Sequence, residues 1–195
     1  MKNNNTLNNE LIEAGIIPAK KFESNLSAIE TIVNTKISVK PYVEIIIPYL
    51  DLLSGKDLEF VIRALTEKGL KNVSKKLISI YRSNQTNKWV LGNAIGVIED
   101  KSTYDEVLNL CKDPSNGESR QMMLTILRKI KTEESFNILL DLLNDETVRG
   151  HAICELRKWG EPKALDAIIC LEVKKGLYEA KEKKKAIEKL SKLNP

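Results

Sequence analysis

The residue types most capable of chemistry lie close together in one stretch, DETVRGHAICELRKWGEPKALDAIIC, which runs from Asp145 to Cys170. This stretch contains the only histidine of the chain, His151, and a cysteine, Cys154, three residues later. Residues three apart share one face of a helix. The pair could therefore begin a metal site, or place a thiol nucleophile beside its base.

The rest of the sequence supports neither kind of chemistry. A zinc site needs three or four ligands, and the remaining cysteines, Cys111 and Cys170, would have to converge on His151 from elsewhere. A catalytic Cys–His pair needs a third group to orient it, and adjacent side chains on a straight helix rarely face each other. The chain has no G-x-S-x-G, Walker or G-x-G-x-x-G motif. We therefore predict no catalytic residue, no metal and no cofactor, and a protein that is not an enzyme.

The composition narrows the class of protein. Hydrophobic residues make up 42% and charged residues 30% of the 195 positions, which is typical of a soluble globular domain. Only 6 prolines, 9 glycines and 5% aromatics argue against an all-β fold, which needs more turns. The net charge of +4 permits an anionic partner without requiring one. An odd number of cysteines and the lack of a leader or a membrane-length apolar run predict a cytoplasmic protein without a membrane partner.

Apolar residues recur at helical spacing along most of the chain, for example at Phe22, Leu26, Ile29 and Val33. Four residues predict where helices begin or end within this pattern. They are Ser102 and Thr132 as N-caps, and Gly69 and Gly160 as helix ends. No alternating run is long enough to predict a strand, so the sequence predicts an all-α protein.

The helices form a repeat. Placing VRGHAICELRKW over SRQMMLTILRKI aligns Arg149 with Arg120 at an offset of 29, and the same offset aligns Arg157 with Arg128. His151 and Cys154 fall on Met122 and Thr125, so the repeat does not require reactive residues there. A period near 30 residues built of two helices is typical of a solenoid.

The segment DETVRGHAICELRKWGEPKALDAI resembles a HEAT repeat, and more narrowly the HEAT-like repeat of phycobilisome lyases. The resemblance rests on these positions: Asp145, Val148, Arg149, Ala152, Leu156, Gly160, Ala164 and Leu165. It covers about residues 40–195, although two earlier repeats have Ser102 and Lys131 where Gly160 stands. It implies an α-solenoid of four to five helix pairs, and it says little about activity because HEAT repeats serve many functions.

The predicted organisation is a disordered tail over residues 1–8 and a single HEAT-like domain over residues 9–195. Residues 10–35 are predicted to form capping helices. The approximate repeats are 40–69, 71–100, 102–131, 132–160 and 161–193. Pro48 falls inside the first helix of the first repeat, where HEAT repeats often kink.

Two sets of residues are candidates for a role in this fold. HEAT repeats commonly pair an arginine at the start of the second helix with an acid, which predicts a structural ladder formed by Arg120, Arg149 and Asp145. Second helices line the concave face of such solenoids. Their outward residues form the candidate groove for a protein partner: Trp89, Asn93, Gln121, Arg128, His151, Glu155 and Lys158. Trp159, aligned with Ile130, is predicted to lie in the core.

The favoured function is therefore a non-catalytic protein-binding scaffold or adaptor. The alternative is a nucleic-acid-binding protein similar to the HEAT-like alkylpurine DNA glycosylases, whose paired tryptophans and aspartate are not recognisable here. A bilin lyase or its chaperone is a third possibility suggested only by the repeat's family name. The lysine-rich run over residues 174–192 has three glutamates interleaved, which favours an ordinary solvated helix face.

Overall fold

The computed structural model of the chain describes residues 3–83 and 86–193. Nearly all the regular structure within these residues is helical, which confirms the all-α prediction. The residue contacts divide the chain into two compact units, with the boundary after Asp100. Each of these two units has its own buried apolar residues, and the single domain over residues 9–195 stays a prediction.

The first unit contains these helices: α1 (Asn4–Glu13), α2 (Ala28–Asn34), α3 (Val43–Ile46), α4 (Gly55–Ala64), α5 (Lys71–Ser83) and α6 (Lys88–Ile98). Short 3-10 turns at Lys40–Tyr42 and Ile47–Leu50 flank α3, and the second of them contains Pro48. The helix α2 packs against α1 and α4, and α6 packs against α4 and α5.

The asparagine-rich start of the chain is helical rather than disordered. Asn3 caps α1 through a capping box with Thr6, in which each side chain accepts the other residue's backbone N–H. Leu7 and Leu11 lie one turn apart on α1 and are fully buried. This burial anchors a segment whose composition alone predicted a tail over residues 1–8, of which Met1 and Lys2 lie outside the described residues.

A small antiparallel hairpin, β1 (Lys20–Lys21) and β2 (Ser24–Asn25), lies between α1 and α2. It replaces the beginning of the helix that the spacing from Phe22 predicted. Phe22 occupies its turn with a left-handed backbone, φ +57°, and is 95% exposed. That conformation costs a non-glycine residue about 1–2 kcal/mol. Neither packing nor backbone preference therefore explains a phenylalanine at this tip.

The second unit is a set of three helix pairs. The pairs are α7 (Tyr104–Lys112) with α8 (Leu124–Ile130), α9 (Glu133–Asp141) with α10 (Arg149–Trp159), and α11 (Leu165–Ile169) with α12 (Tyr178–Ser191). The two helices of each pair contact each other, and α10 also packs against both α8 and α12. We call the surface formed by α8, α10 and α12 the second-helix row. Turns of 3-10 helix lie at Pro114–Arg120 and Leu142–Asn144, between the two helices of a pair, and at Lys101–Thr103 and Pro162–Ala164, directly before the first helix of a pair.

Local sequence signals account for several of these boundaries. Thr132 caps α9 through a capping box with Ser135, as its residue type predicted. Gly160 ends α10 with a left-handed backbone. Lys131, at the position equivalent to Gly160, ends α8 in the same conformation with φ +59°. Ser102 lies one residue before the N-cap of α7, which is Thr103.

Among the described residues, no helix combines the length and the apolar character required to cross a lipid bilayer.

Candidate functional site

The predicted groove residues fall into two separate groups. Trp89 and Asn93 lie on α6 of the first unit, where Trp89 is 45% exposed and Asn93 is half-buried. The other five belong to the second-helix row or its approach: Gln121, Arg128, His151, Glu155 and Lys158. The second unit therefore carries a continuous set of polar side chains whose geometry can be followed from helix to helix.

Three of these residues form one ionic cluster between α8 and α10. The Arg128 Nε donates to Glu155 Oε2 at 2.7 Å, and the Lys158 Nζ donates to Glu155 Oε1 at 2.6 Å. Glu155 was predicted to face outward, but it is only 5% exposed because the two cations cover it. Arg128 and Lys158 keep part of their side chains in solvent. Glu155 therefore positions the two cations instead of contacting a partner itself.

An equivalent cluster between α10 and α12 was missed by the sequence reasoning. The Arg157 Nη2 lies 3.0 Å from Glu182 Oε2, and the Lys185 Nζ donates to Glu182 Oε1 at 2.7 Å. Glu182 is 3% exposed. Each cluster joins an arginine to a glutamate 27 or 25 residues later, with a lysine three residues after that glutamate. The sequence features that could have predicted this second cluster are the arginine repeated at an offset of 29 and the repeated Glu-x-x-Lys spacing.

Glu182 should make stability depend on pH. Burial acts to raise the pKa of Glu182, but the bonds from Lys185 and Arg157 outweigh it and hold the pKa below its ordinary value of 4.5. The unfolded chain therefore binds a proton more readily than the folded chain, so the cluster's stabilisation is complete above about pH 4.5 and is lost as the pH falls through the folded pKa. We expect Glu182→Gln to cost about 2 kcal/mol at pH 7, and the difference from wild type to shrink below pH 4.5.

Urea unfolding at pH 3.5 to 7 measures this effect. A Trp89→Phe background leaves Trp159 as the fluorescent reporter of the second unit. Glu188→Gln is the matched control, because Glu188 lies on the same helix with 65% of its side chain exposed, and its bond to Lys192 is 3.3 Å long. A pH-independent cost of Glu182→Gln would contradict the assignment.

The structural ladder is built around a fully buried arginine. Arg120 is 1% exposed, and its guanidinium bonds the carbonyl oxygens of Gly117 and Cys111, the hydroxyl of Thr147 and the carboxylate of Asp145. Burial acts to raise the pKa of Asp145, but its bonds from Thr147 and Arg120 lower it below the ordinary value. The cluster fastens the turn before α8 to the turn before α10.

Arg149, the equivalent residue one repeat later, is held less completely. Its Nε donates to the Leu143 carbonyl at 2.8 Å. Its terminal nitrogens lie 3.6 Å from Glu179 and 4.0 Å from Glu146, which are distances of ion pairs rather than hydrogen bonds. The structure therefore places Asp145 with Arg120 and gives Arg149 different acidic neighbours.

His151 and Cys154 are surrounded by other side chains of the row. The His151 ring lies 5.1 Å from the Tyr178 ring, centroid to centroid, and its burial lowers its pKa below the ordinary value. The Cys154 sulfur accepts a weak bond from Arg157 Nη2 at 3.7 Å. Within the described residues, no group of three or more His, Cys, Asp or Glu side chains is arranged to hold a metal ion.

Trp159 and Cys111 pack against other residues of the second unit. Trp159 is half-buried rather than fully buried, and it packs edge-on against Phe136 at 5.2 Å with the Lys131 amine 5.6 Å from its ring. Burial raises the pKa of Cys111 to about 12, which leaves this thiol protonated and inert. Cys170 is exposed at the end of α11.

A recess of about 670 Å³ adjoins the Arg120 cluster. Pro114, Ile138 and Leu142 supply its apolar lining, and Asp141 and Glu146 are exposed acids beside them. Lys112 and Arg120 also line the recess, and both are paired with acids, so its mainly apolar surface suits an apolar side chain better than a small anion.

Gln121 connects the row to the same region, because its side-chain amide donates to the Thr147 carbonyl at 2.7 Å. Gln121 is thereby joined to the turn before α10, and the two ionic clusters hold Arg128, Lys158, Arg157 and Lys185.

No protein-family model, curated protein or solved structure matches this chain, so its function must be inferred from its own residues.

Proposed function

We propose that the chain is a HEAT-like α-solenoid protein of the cytoplasm that binds a protein partner without catalysing a reaction. The single observation that carries this proposal is the pair of ionic clusters along the second-helix row. Each buried glutamate fixes one arginine and one lysine, and the cations Arg128 and Lys158 remain partly open to solvent. A polar face that is already ordered loses little side-chain entropy on binding.

The proposed contacts follow from exposure. Gln121, Arg128, His151 and Lys158 are accessible on the row, and Trp89 and Asn93 supply a second contact region on α6. Tryptophan and arginine are the residue types that most often dominate protein interfaces. Free thiols at Cys111, Cys154 and Cys170 are compatible with a reducing compartment.

Affinity capture from the native host, with mass spectrometry, would supply the partner, and calorimetry with the purified partner then tests the surface. We expect Trp89→Ala to weaken binding about 30-fold, the effect of a residue contributing about 2 kcal/mol. Lys158→Ala should weaken binding about 5-fold, because Lys158 is a partly exposed charge.

Two matched controls make the result specific. Leu52→Ala removes another exposed apolar side chain of the first unit, and Lys163→Ala removes another exposed lysine of the second unit. Both should leave the affinity unchanged. Full affinity in Trp89→Ala and Lys158→Ala together would place the interface outside the proposed surface and overturn the proposal.

A further inference from the structure

The C-terminal helix α12 separates its charges by face. Its sequence alternates lysines and glutamates, but two of the three glutamates point into the second-helix row. Glu182 is buried against Arg157 and Lys185, and Glu179 is largely buried beside Arg149. In a regular solvated helix these glutamates would neutralise neighbouring lysines on the surface, but here they pair with arginines of α10.

The outer face of α12 is consequently dominated by lysine. Five lysines are exposed along it at helical spacing, with Glu188 as the one exposed acid of the helix among the described residues: Lys181, Lys184, Lys185, Lys189 and Lys192. The twelve residues from Lys181 to Lys192 span about 16 Å, at about 1.5 Å for each of eleven steps. The side-chain amines of Lys181 and Lys184 make no ion pair or hydrogen bond within the described part of the chain, and the backbone N–H of Lys181 makes an ordinary helical bond to the Leu177 carbonyl.

The charge of the second unit is concentrated in this region. Residues 174–192 contain eight lysines and three glutamates, whereas residues 101–173 contain ten basic and thirteen acidic residues. Lys174 and Lys175 extend the exposed positive charge into the loop before α12. Such segregation focuses a positive potential on one face instead of dispersing it.

An aromatic side chain borders this face. Tyr178 lies three residues before Lys181 and is 47% exposed, although part of its ring packs against Gly150 and His151 of α10. The exposed part of the ring lies beside the cations, and aromatic rings next to cations are typical of surfaces that stack bases and track a phosphate backbone. A 16 Å row also faces about five phosphates of one strand, at about 3.4 Å of helix axis per phosphate.

We infer that the outer face of α12 binds the phosphate backbone of nucleic acid without reading its sequence. This contact is separate from the protein-binding surface proposed above, because the inferred contacts are the outward lysines and not Arg128, Lys158 or Trp89. Loss of either activity therefore leaves the other intact.

The test is fluorescence polarisation with a labelled 20-nucleotide oligo-dT over 50–300 mM KCl. The variant Lys181→Gln/Lys184→Gln/Lys192→Gln leaves Lys185, which bonds Glu182, and Lys189, whose amine lies beside Gly160, unchanged. Removing three phosphate contacts should reduce the slope of log affinity against log salt by about 2, and should weaken binding about 100-fold at 0.1 M salt.

The charge-matched control Lys56→Gln/Lys71→Gln/Lys75→Gln removes three exposed lysines of the first unit and should retain the wild-type slope.

Equal losses in the two triple variants would overturn the inference, as would the absence of binding at 50 mM KCl. Two further probes separate other polyanions from nucleic acid. Tighter binding to poly-L-glutamate than to oligo-dT would assign the face to an acidic protein. Binding to vesicles of equal phosphatidylcholine and phosphatidylglycerol, without binding to oligo-dT, would assign it to a membrane surface. Either result replaces the inferred partner.

Discussion

Replacing Arg120 with methionine is expected to destabilise the second unit by about 3–5 kcal/mol, the usual cost of removing one partner from a buried ion pair. Methionine keeps much of the side-chain volume but provides no donor for Asp145, Thr147 or the Cys111 carbonyl. Urea unfolding in the Trp89→Phe background, followed through Trp159, measures the loss.

Two further variants show whether the effect arises from the buried pair. Arg149→Met at the equivalent position should cost about 1 kcal/mol, because the longer contacts of Arg149 with Glu179 and Glu146 are worth less. Asp145→Asn removes the charge left behind by Arg120→Met, so the double variant should lose less than the sum of the single losses. If Arg149→Met proves as costly as Arg120→Met, burial of Arg120 is not the cause.

Gly150→Ala is expected to cost about 2–3 kcal/mol, although alanine ordinarily favours a helix over glycine by about 1 kcal/mol. A Cβ at residue 150 would lie 2.7 Å from Tyr178 Cδ1 and 3.4 Å from the Glu179 Cα. Carbon atoms in contact prefer a separation of about 3.5–4.0 Å. The added methyl would therefore push α12 away from α10.

A Tyr178→Ala background tests that explanation. Without the ring, the added methyl has room, and Gly150→Ala should become neutral or slightly stabilising. The four unfolding free energies form a double-mutant cycle that isolates the contact. If Gly150→Ala costs the same in both backgrounds, the close approach of the ring is not its source.

The helices and their boundaries were accessible from the sequence where one local signal dominated. Thr132 caps a helix and Gly160 ends one because a side-chain acceptor and a left-handed backbone act over a few residues. The N-terminal segment was misjudged for the opposite reason. Its asparagines predicted disorder, but the burial of Leu7 and Leu11 depends on helices that are distant in sequence.

The orientation of charged residues was harder to predict than their helical state. Glutamate is usually a surface residue, so the residue type of Glu155 and Glu182 predicted exposure. Each lies beside an arginine more than 20 residues away only because α10 packs against α8 and α12. The arginines Arg128 and Arg157 are 29 residues apart, whereas the glutamates Glu155 and Glu182 are 27 residues apart, so a single repeat offset does not align both pairs. Residue type alone therefore identified the charges but not their burial.

The alternation of these clusters gives the row a direction. The helix α10 accepts an arginine from α8 through Glu155 and offers Arg157 to α12. A duplicated segment 132–160, inserted after Gly160, would bring a second copy of Glu155 27 residues after Arg157, the same separation as Arg128 and Glu155. The pair α9 and α10 therefore contains both the glutamate and the arginine that would join it to a copy of itself. Tandem duplication of this pair, by engineering or by unequal recombination, would lengthen the unit while repeating the same contact.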